Sequence, residues 1–324
     1  LYYLAAFTQV HLRSKKMGMK GVPKSQLPRA MDVLKAKGHL LIPVGVLIYF
    51  LLKDYSPMRV GFYAIVSVII LGSLTRGKNR FTVKSFFEAC ENGARSALGV
   101  ASACACAGIV VGVVTMTGLG LKFATMIITL SHGILFLTCI VTAVVCLIMG
   151  MGVPVTASYI IVATMAAPAL TKLGVYPIAA HLFVLYFAVL ADVTPPVCIA
   201  AYAGAAIAQA RPMETGFSAF KLGIAGFIIP FIFAHDTSLL GLGSVGQVIS
   251  AVLTASFGVI LLGSAVERYL LLKNTLYESV LLALAALGLI KPGFITDLMG
   301  IGILSLVLCL QYFKHRRNMK TARV

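Results

Sequence analysis

The sequence predicts an all-α polytopic membrane protein, and three observations carry that reading. Of its 324 residues 60% are hydrophobic, the mean hydropathy is +0.98, and only 11% are charged, about half the share of a soluble domain. Apolar runs of about twenty residues recur along the chain, the length a helix needs to cross a bilayer. Basic residues collect in the gaps between those runs, which is the positive-inside distribution.

The same features exclude other classes. A net charge of +17 would suggest nucleic acid on a soluble chain, but here the charge lies between apolar runs. The seven cysteines (Cys90, Cys104, Cys106, Cys139, Cys146, Cys198 and Cys309) form no CxxC pair, and most lie in apolar sequence, as small buried hydrophobes do. The six histidines show no metal spacing. There is no GxSxG, phosphate loop or pair of carboxylates, so an enzyme is not supported and no cofactor is expected.

Taken in order, residues 1–10 are apolar and read as the end of a truncated helix. Residues 11–37 carry Arg13, Lys15, Lys16, Lys20, Lys24, Arg29, Lys35 and Lys37 against Asp32 alone, the pattern of a cytoplasmic loop. Residues 40–52 and 60–74 are apolar around a turn at 53–57 and form a helical hairpin. Residues 81–95 interleave Phe86, Phe87 and Ala89 with Lys84, Glu88, Glu91 and Arg95, as an amphipathic helix in the membrane interface does. Residues 97–117 are rich in Gly, Ala, Ser and Cys and cross, their small side chains permitting close packing. Residues 119–130 form a short connecting helix.

Residues 133–173 and 176–210 organise the rest. The first stretch is two short apolar arms around GMGVPVTAS (150–158). Pro154 removes a backbone donor, and Gly150 and Gly152 relax the chain beside it. Arms this short around such a tip predict a re-entrant hairpin. The second stretch is too long for one span. ADVTPPV (191–197) cuts it into two half-helices of a broken crossing. Lipid cannot satisfy the backbone groups such breaks release, so they survive only where they line a cavity or bind something. Paired breaks point to a transporter's binding site.

Bare carbonyls at the breaks suit Na⁺, and bare N–H groups suit anions. Thr156, Ser158 and Thr194 add hydroxyls. Asp192 is read as the one acid inside an apolar run, either an ion ligand or the cap of a half-helix beginning near Thr194. His181 reads as satisfied packing rather than a proton relay. Residues 217–233, 246–266, 279–290 and 298–313 are further apolar segments, and the chain ends in KHRRNMKTAR. The organisation expected is 1–39 as a helix end and basic loop, 40–75 as a hairpin, 76–234 as one repeat, and 235–324 as a C-terminal extension.

Charge counting tests the topology. With a hairpin that returns to its own side, segments 11–37, 76–95, 211–221, 267–278 and 314–324 lie inside and hold 22 of the 27 Lys and Arg. Only Lys53, Arg59, Lys122, Lys172 and Lys291 fall outside, and Lys122 and Lys172 are expected to snorkel. A crossing hairpin would leave 15 inside against 12, so the re-entrant arrangement fits the rule better.

GMGVPVTASYIIVATMAAPAL followed by GVYPIAAHLFVLYFAVLADVTPPVCIAAYAGAAIA resembles the large membrane subunit of TRAP transporters, most of all the fused form that accompanies TAXI-type binding proteins. The resemblance covers residues 40–234, with 240–324 like the fused form's extension. It implies an elevator-type fold of two inverted repeats in the bacterial inner membrane, with the C-terminus cytoplasmic. It implies Na⁺-driven uptake of an anionic organic acid or amino acid delivered by a periplasmic binding protein. Its sodium site maps to Gly150, Gly152, Thr156 and Thr194, with Asp192 beside them, and Pro154, Ser158, Pro195 and Pro196 face the substrate. Two features depart from the family pattern. No first-repeat hairpin tip or Pro-Pro break precedes residue 100, and Asp192 and Val193 replace small or apolar residues. The chain begins at Leu1 without Met, so an N-terminal half of the same polypeptide is expected. A channel, or a fragment that acts only as a scaffold, is the alternative.

Overall fold

The structure is a computed structural model and describes residues 1–19, 21–23, 26–74, 82–291 and 293–321. It forms two compact units, one of residues 20–99 and one of residues 1–19 with 100–324. No strand occurs among the described residues, and six helices are long and apolar enough to cross a membrane.

In the smaller unit, α2 (Ala30–Lys37) precedes a hairpin of α3 (Ile42–Leu52) and α4 (Pro57–Leu74). Asp54 takes a left-handed φ of 57° in the turn, and Phe50 stacks on Tyr63 at 4.5 Å across it. The separate interfacial and crossing helices expected over 81–117 are a single helix, α5 (Val83–Met116). No residue in Glu91–Val100 breaks the helical hydrogen-bond ladder: Gly93 and Gly99 lower propensity but do not remove a donor, as proline would.

The larger unit begins with α1 (Tyr2–Lys16), which runs past residue 10 into the basic segment. Its buried face is Ala5, Gln9 and Leu12, a helical spacing. After α6 (Leu119–Leu130) come the hairpin arms α7 (Leu135–Gly150) and α8 (Val155–Lys172), then the broken pair α9 (Pro177–Leu190) and α10 (Ile199–Ala208). Next are α11 (Pro212–Leu222), α12 (Ile224–His235), α13 (Val245–Glu267), α14 (Leu276–Ile290) and α15 (Phe294–Thr321). Phe231 of α12 knits the centre, its ring 5.3 Å from Phe183, 5.9 Å from Phe187 and 5.9 Å from Phe136.

The C-terminal helices pack through small residues. A Cβ on Gly258 would lie 2.5 Å from Ile290, and one on Gly300 would lie 2.7 Å from Leu289. Such contacts are how helices associate where lipid is as apolar as their side chains. α1 lies parallel to α13: Gln9 meets Gly263, and Arg13 reaches Glu267.

Four segments expected to share one side do converge. Arg13 and Lys221 approach Glu267 at 3.9 and 3.7 Å, and Lys16 donates to the Glu267 carbonyl at 2.7 Å. Lys314 donates to the Lys273 carbonyl at 3.1 Å. At the opposite end of α12 and α14, His235, Asp236 and Lys291 line one crevice.

Candidate functional site

The hairpin tip is made by local chemistry. α7 stops at Gly150, Gly152 takes φ +75°, and Pro154 precedes the first turn of α8. The carbonyls of Met151, Gly152 and Val153 accept no backbone hydrogen bond. Across the tip, no side chain caps the first N–H groups of α8. Gly152 has nothing within 4 Å of a built Cβ, so its requirement is conformational: the left-handed φ is costly for any residue with a side chain.

The second break follows from the two prolines. A continuing α-helix would bring the N–H groups of residues 195 and 196 to the carbonyls of Ala191 and Asp192. Both positions are proline, without an N–H. α9 tightens instead into a 3-10 turn, Ala191–Val193. The Thr194 N–H donates to Ala191 at 3.2 Å and the Thr194 hydroxyl to Leu190 at 2.7 Å. The carbonyls of Asp192 and Val193 accept no backbone hydrogen bond. The Pro195–Pro196 bond is cis, and the Pro196 carbonyl receives the Tyr202 hydroxyl.

The sequence leaves Asp192 as either an ion ligand or the cap of a half-helix beginning near Thr194, and the structure corrects that start and the cap reading. α10 begins at Ile199 behind Cys198, which takes φ 40° and offers no side-chain cap. Asp192 lies before the prolines and accepts no hydrogen bond from those N–H groups. Its carboxylate, half-buried, makes no hydrogen bond or ion pair among the described residues. Asp192 is also not alone, because Glu267 and Asp297 lie within helices long and apolar enough to span.

Gly150 joins the two breaks. A Cβ there would stand 2.9 Å from the Ala191 Cβ, 3.2 Å from the Ala188 carbonyl and 3.1 Å from the Ser158 hydroxyl. Hydrogen alone fits, so the end of α7 and the end of α9 meet with no side chain between them. The Ser158 hydroxyl is fully buried beside that contact and takes part in no hydrogen bond; the Thr142 hydroxyl is likewise buried and unpaired. Most buried hydroxyls find a partner.

Of the other candidates, Thr194 and Pro195 are half-buried, while Gly152, Pro154, Thr156 and Pro196 are exposed. The structure therefore gathers Gly150, Ser158 and the end of α9, and leaves Thr156 on the rim. Thr142 escaped the sequence reading because one threonine in an apolar run carries no signal of its own. His181 is exposed, and its Nδ1 lies 3.1 Å from the Tyr159 hydroxyl, tying α9 to α8.

Comparison with known families decides the class. A family model described as the tripartite ATP-independent periplasmic transporter, DctM component, matches residues 1–248. The chain belongs to the DctM family. It is thus a multi-pass permease of the TRAP type, in a transporter family rather than an enzyme family, and membership implies a periplasmic binding-protein partner. Residues 248–300 of the permease match a domain of unknown function, DUF3394. No curated protein and no solved structure matches the chain.

Proposed function

We propose that this permease couples Na⁺ to the uptake of a small organic acid or amino acid, handed over by a periplasmic binding protein at the bacterial inner membrane. The observation that carries the reading is the Gly150 contact with Ala188 and Ala191: the carbonyls of residues 151–153 that follow Gly150, and those of Asp192 and Val193 that follow Ala191, accept no backbone hydrogen bond. Carbonyls and hydroxyls at broken helices are the ligands Na⁺ takes in secondary transporters. Thr156, Ser158, Asp192 and Thr194 add side-chain oxygens within a few residues. The uncapped N-termini of α8 and α10, bounded by Pro154 and by Pro195 and Pro196, suit a substrate carboxylate. A first repeat of the same polypeptide would supply the facing half, and the C-terminus would be cytoplasmic.

The test is substrate uptake by the full-length permease in proteoliposomes, with binding protein supplied, across a Na⁺ titration. Thr194→Val removes one oxygen and the hydroxyl's bond to the Leu190 carbonyl, so Thr194→Ser serves as the control that keeps both. Losing one buried polar contact costs on the order of 1–3 kcal/mol, so the Na⁺ needed for half-maximal uptake should rise roughly ten- to hundredfold in Val and stay near wild type in Ser. An unchanged sodium dependence in Thr194→Val removes that hydroxyl from the site. Uptake without any sodium dependence overturns the coupling.

A further inference from the structure

A cationic pocket unrelated to the breaks lies where α1, α11 and α13 end. Arg13, Lys16, Lys221 and Lys273 line it with Met17, against the single carboxylate of Glu267, in a cavity of about 300 Å³. That is about ten times the share of one liquid water, enough for a phosphate and its linker. Glu267 offsets only one of the four positive charges. It is buried, with 2% of its side chain exposed, and Arg13 and Lys221 stay 3.9 and 3.7 Å away, beyond hydrogen-bond range. Lys16 spends its contact on the uncharged Glu267 carbonyl. The Lys273 ammonium has no partner among the described residues. Four cations against one acid leave a strongly positive socket at the end of membrane-spanning helices. Such sockets attract anionic headgroups.

The surface beside it is apolar. Tyr3, Phe7, Val10 and Met17 are all exposed, and their spacing puts them on one face of α1 and its C-terminal cap. Met17 both lines the pocket and continues that face. A free phosphate would use the cations alone, whereas a phospholipid would use the cations for its headgroup and the stripe for its acyl chains. We propose that this pocket binds the phosphate of an anionic phospholipid. The site is shared: Arg13, Lys16 and Lys221 come from the transporter-family region, and Glu267 and Lys273 from the region of unknown function. The C-terminal helices thus complete a lipid site that the transporter region holds only in part.

The test is lipid retention by the purified full-length permease, read by native mass spectrometry after exchange into micelles carrying phosphatidylglycerol or phosphatidylcholine. Phosphatidylglycerol should be retained and phosphatidylcholine should not. The Lys221→Gln/Lys273→Gln double variant should lose retention about thirtyfold, and Lys291→Gln, at the opposite end, should match wild type. If the double variant does not fold, Lys273→Gln alone should lose about fivefold. Equal retention of the two lipids overturns the proposal, as does undiminished retention in the lysine variants. Displacement of the lipid by millimolar inorganic phosphate would overturn the lipid assignment in favour of a free anion.

Discussion

Gly150 is where the two breaks depend on one atom that is absent. Its place is set by Ala188 on α9, Ala191 in the 3-10 turn that follows it, and Ser158 on α8. A larger residue must push the hairpin tip off the broken helix, because backbone at Ala188 cannot give way as a flexible side chain can. Gly150→Val should therefore destabilise the protein by about 1–3 kcal/mol, and should also reduce uptake at saturating Na⁺. Thermal unfolding in detergent beside an uptake assay checks both. A wild-type melting temperature in Gly150→Val would mean the close approach does not exist in the membrane.

The hairpin arms and the broken pair each enter and leave by rules that local sequence sets, and the helices after them set the sidedness. α11 and α12 together make a 24-residue run, Pro212–His235, long and apolar enough to cross by length and composition. Its two ends must then face opposite sides. In a cysteine-free background, Glu214→Cys should be labelled from the cytoplasm and Leu242→Cys from outside. Glu214 makes only an exposed pair with Arg211, which contributes little, and Leu242 is exposed, so neither change should disturb the fold. Reversed labelling, Glu214→Cys from outside and Leu242→Cys from the cytoplasm, would remove the re-entrant topology, and labelling of both from one side would remove the crossing by 212–235.

Across the larger unit, the C-terminal helices form a layer that grips α1. Gly258 sits 2.5 Å, by its built Cβ, from Ile290 and 3.0 Å from the Ala286 carbonyl, whereas Gly246, in the same helix, has nothing within 4 Å. Alanine raises helix propensity at either position by up to about 1 kcal/mol. Gly246→Ala should therefore be neutral or stabilising, and Gly258→Ala should lower the melting temperature, because α13 and α14 must separate. Equal effects at the two sites would show that the α13–α14 contact is not held by small-residue packing.

The sequence by itself determined what depends on neighbours along the chain. Apolar runs set the helices. Pro154, Pro195 and Pro196 set the two interruptions, because a missing N–H acts within a turn. The basic residues marked four segments, 11–37, 211–221, 267–278 and 314–324, that meet at one end of the larger unit. The continuous α5 and the extension of α1 to Lys16 were hidden, since polar residues weaken a spanning signal without ending a helix. The start of α10 at Ile199 was hidden because the backbone at Cys198 turns left-handed, which no residue type there announces. Tertiary structure alone decided that Gly150, rather than Gly152, is the point of contact, and that Ser158 is buried without a partner. It also turned Glu267, at the edge of a basic loop, into a carboxylate among cations from two helices and that loop. These are meetings of residues far apart in the chain, and close packing, not local propensity, brings them together.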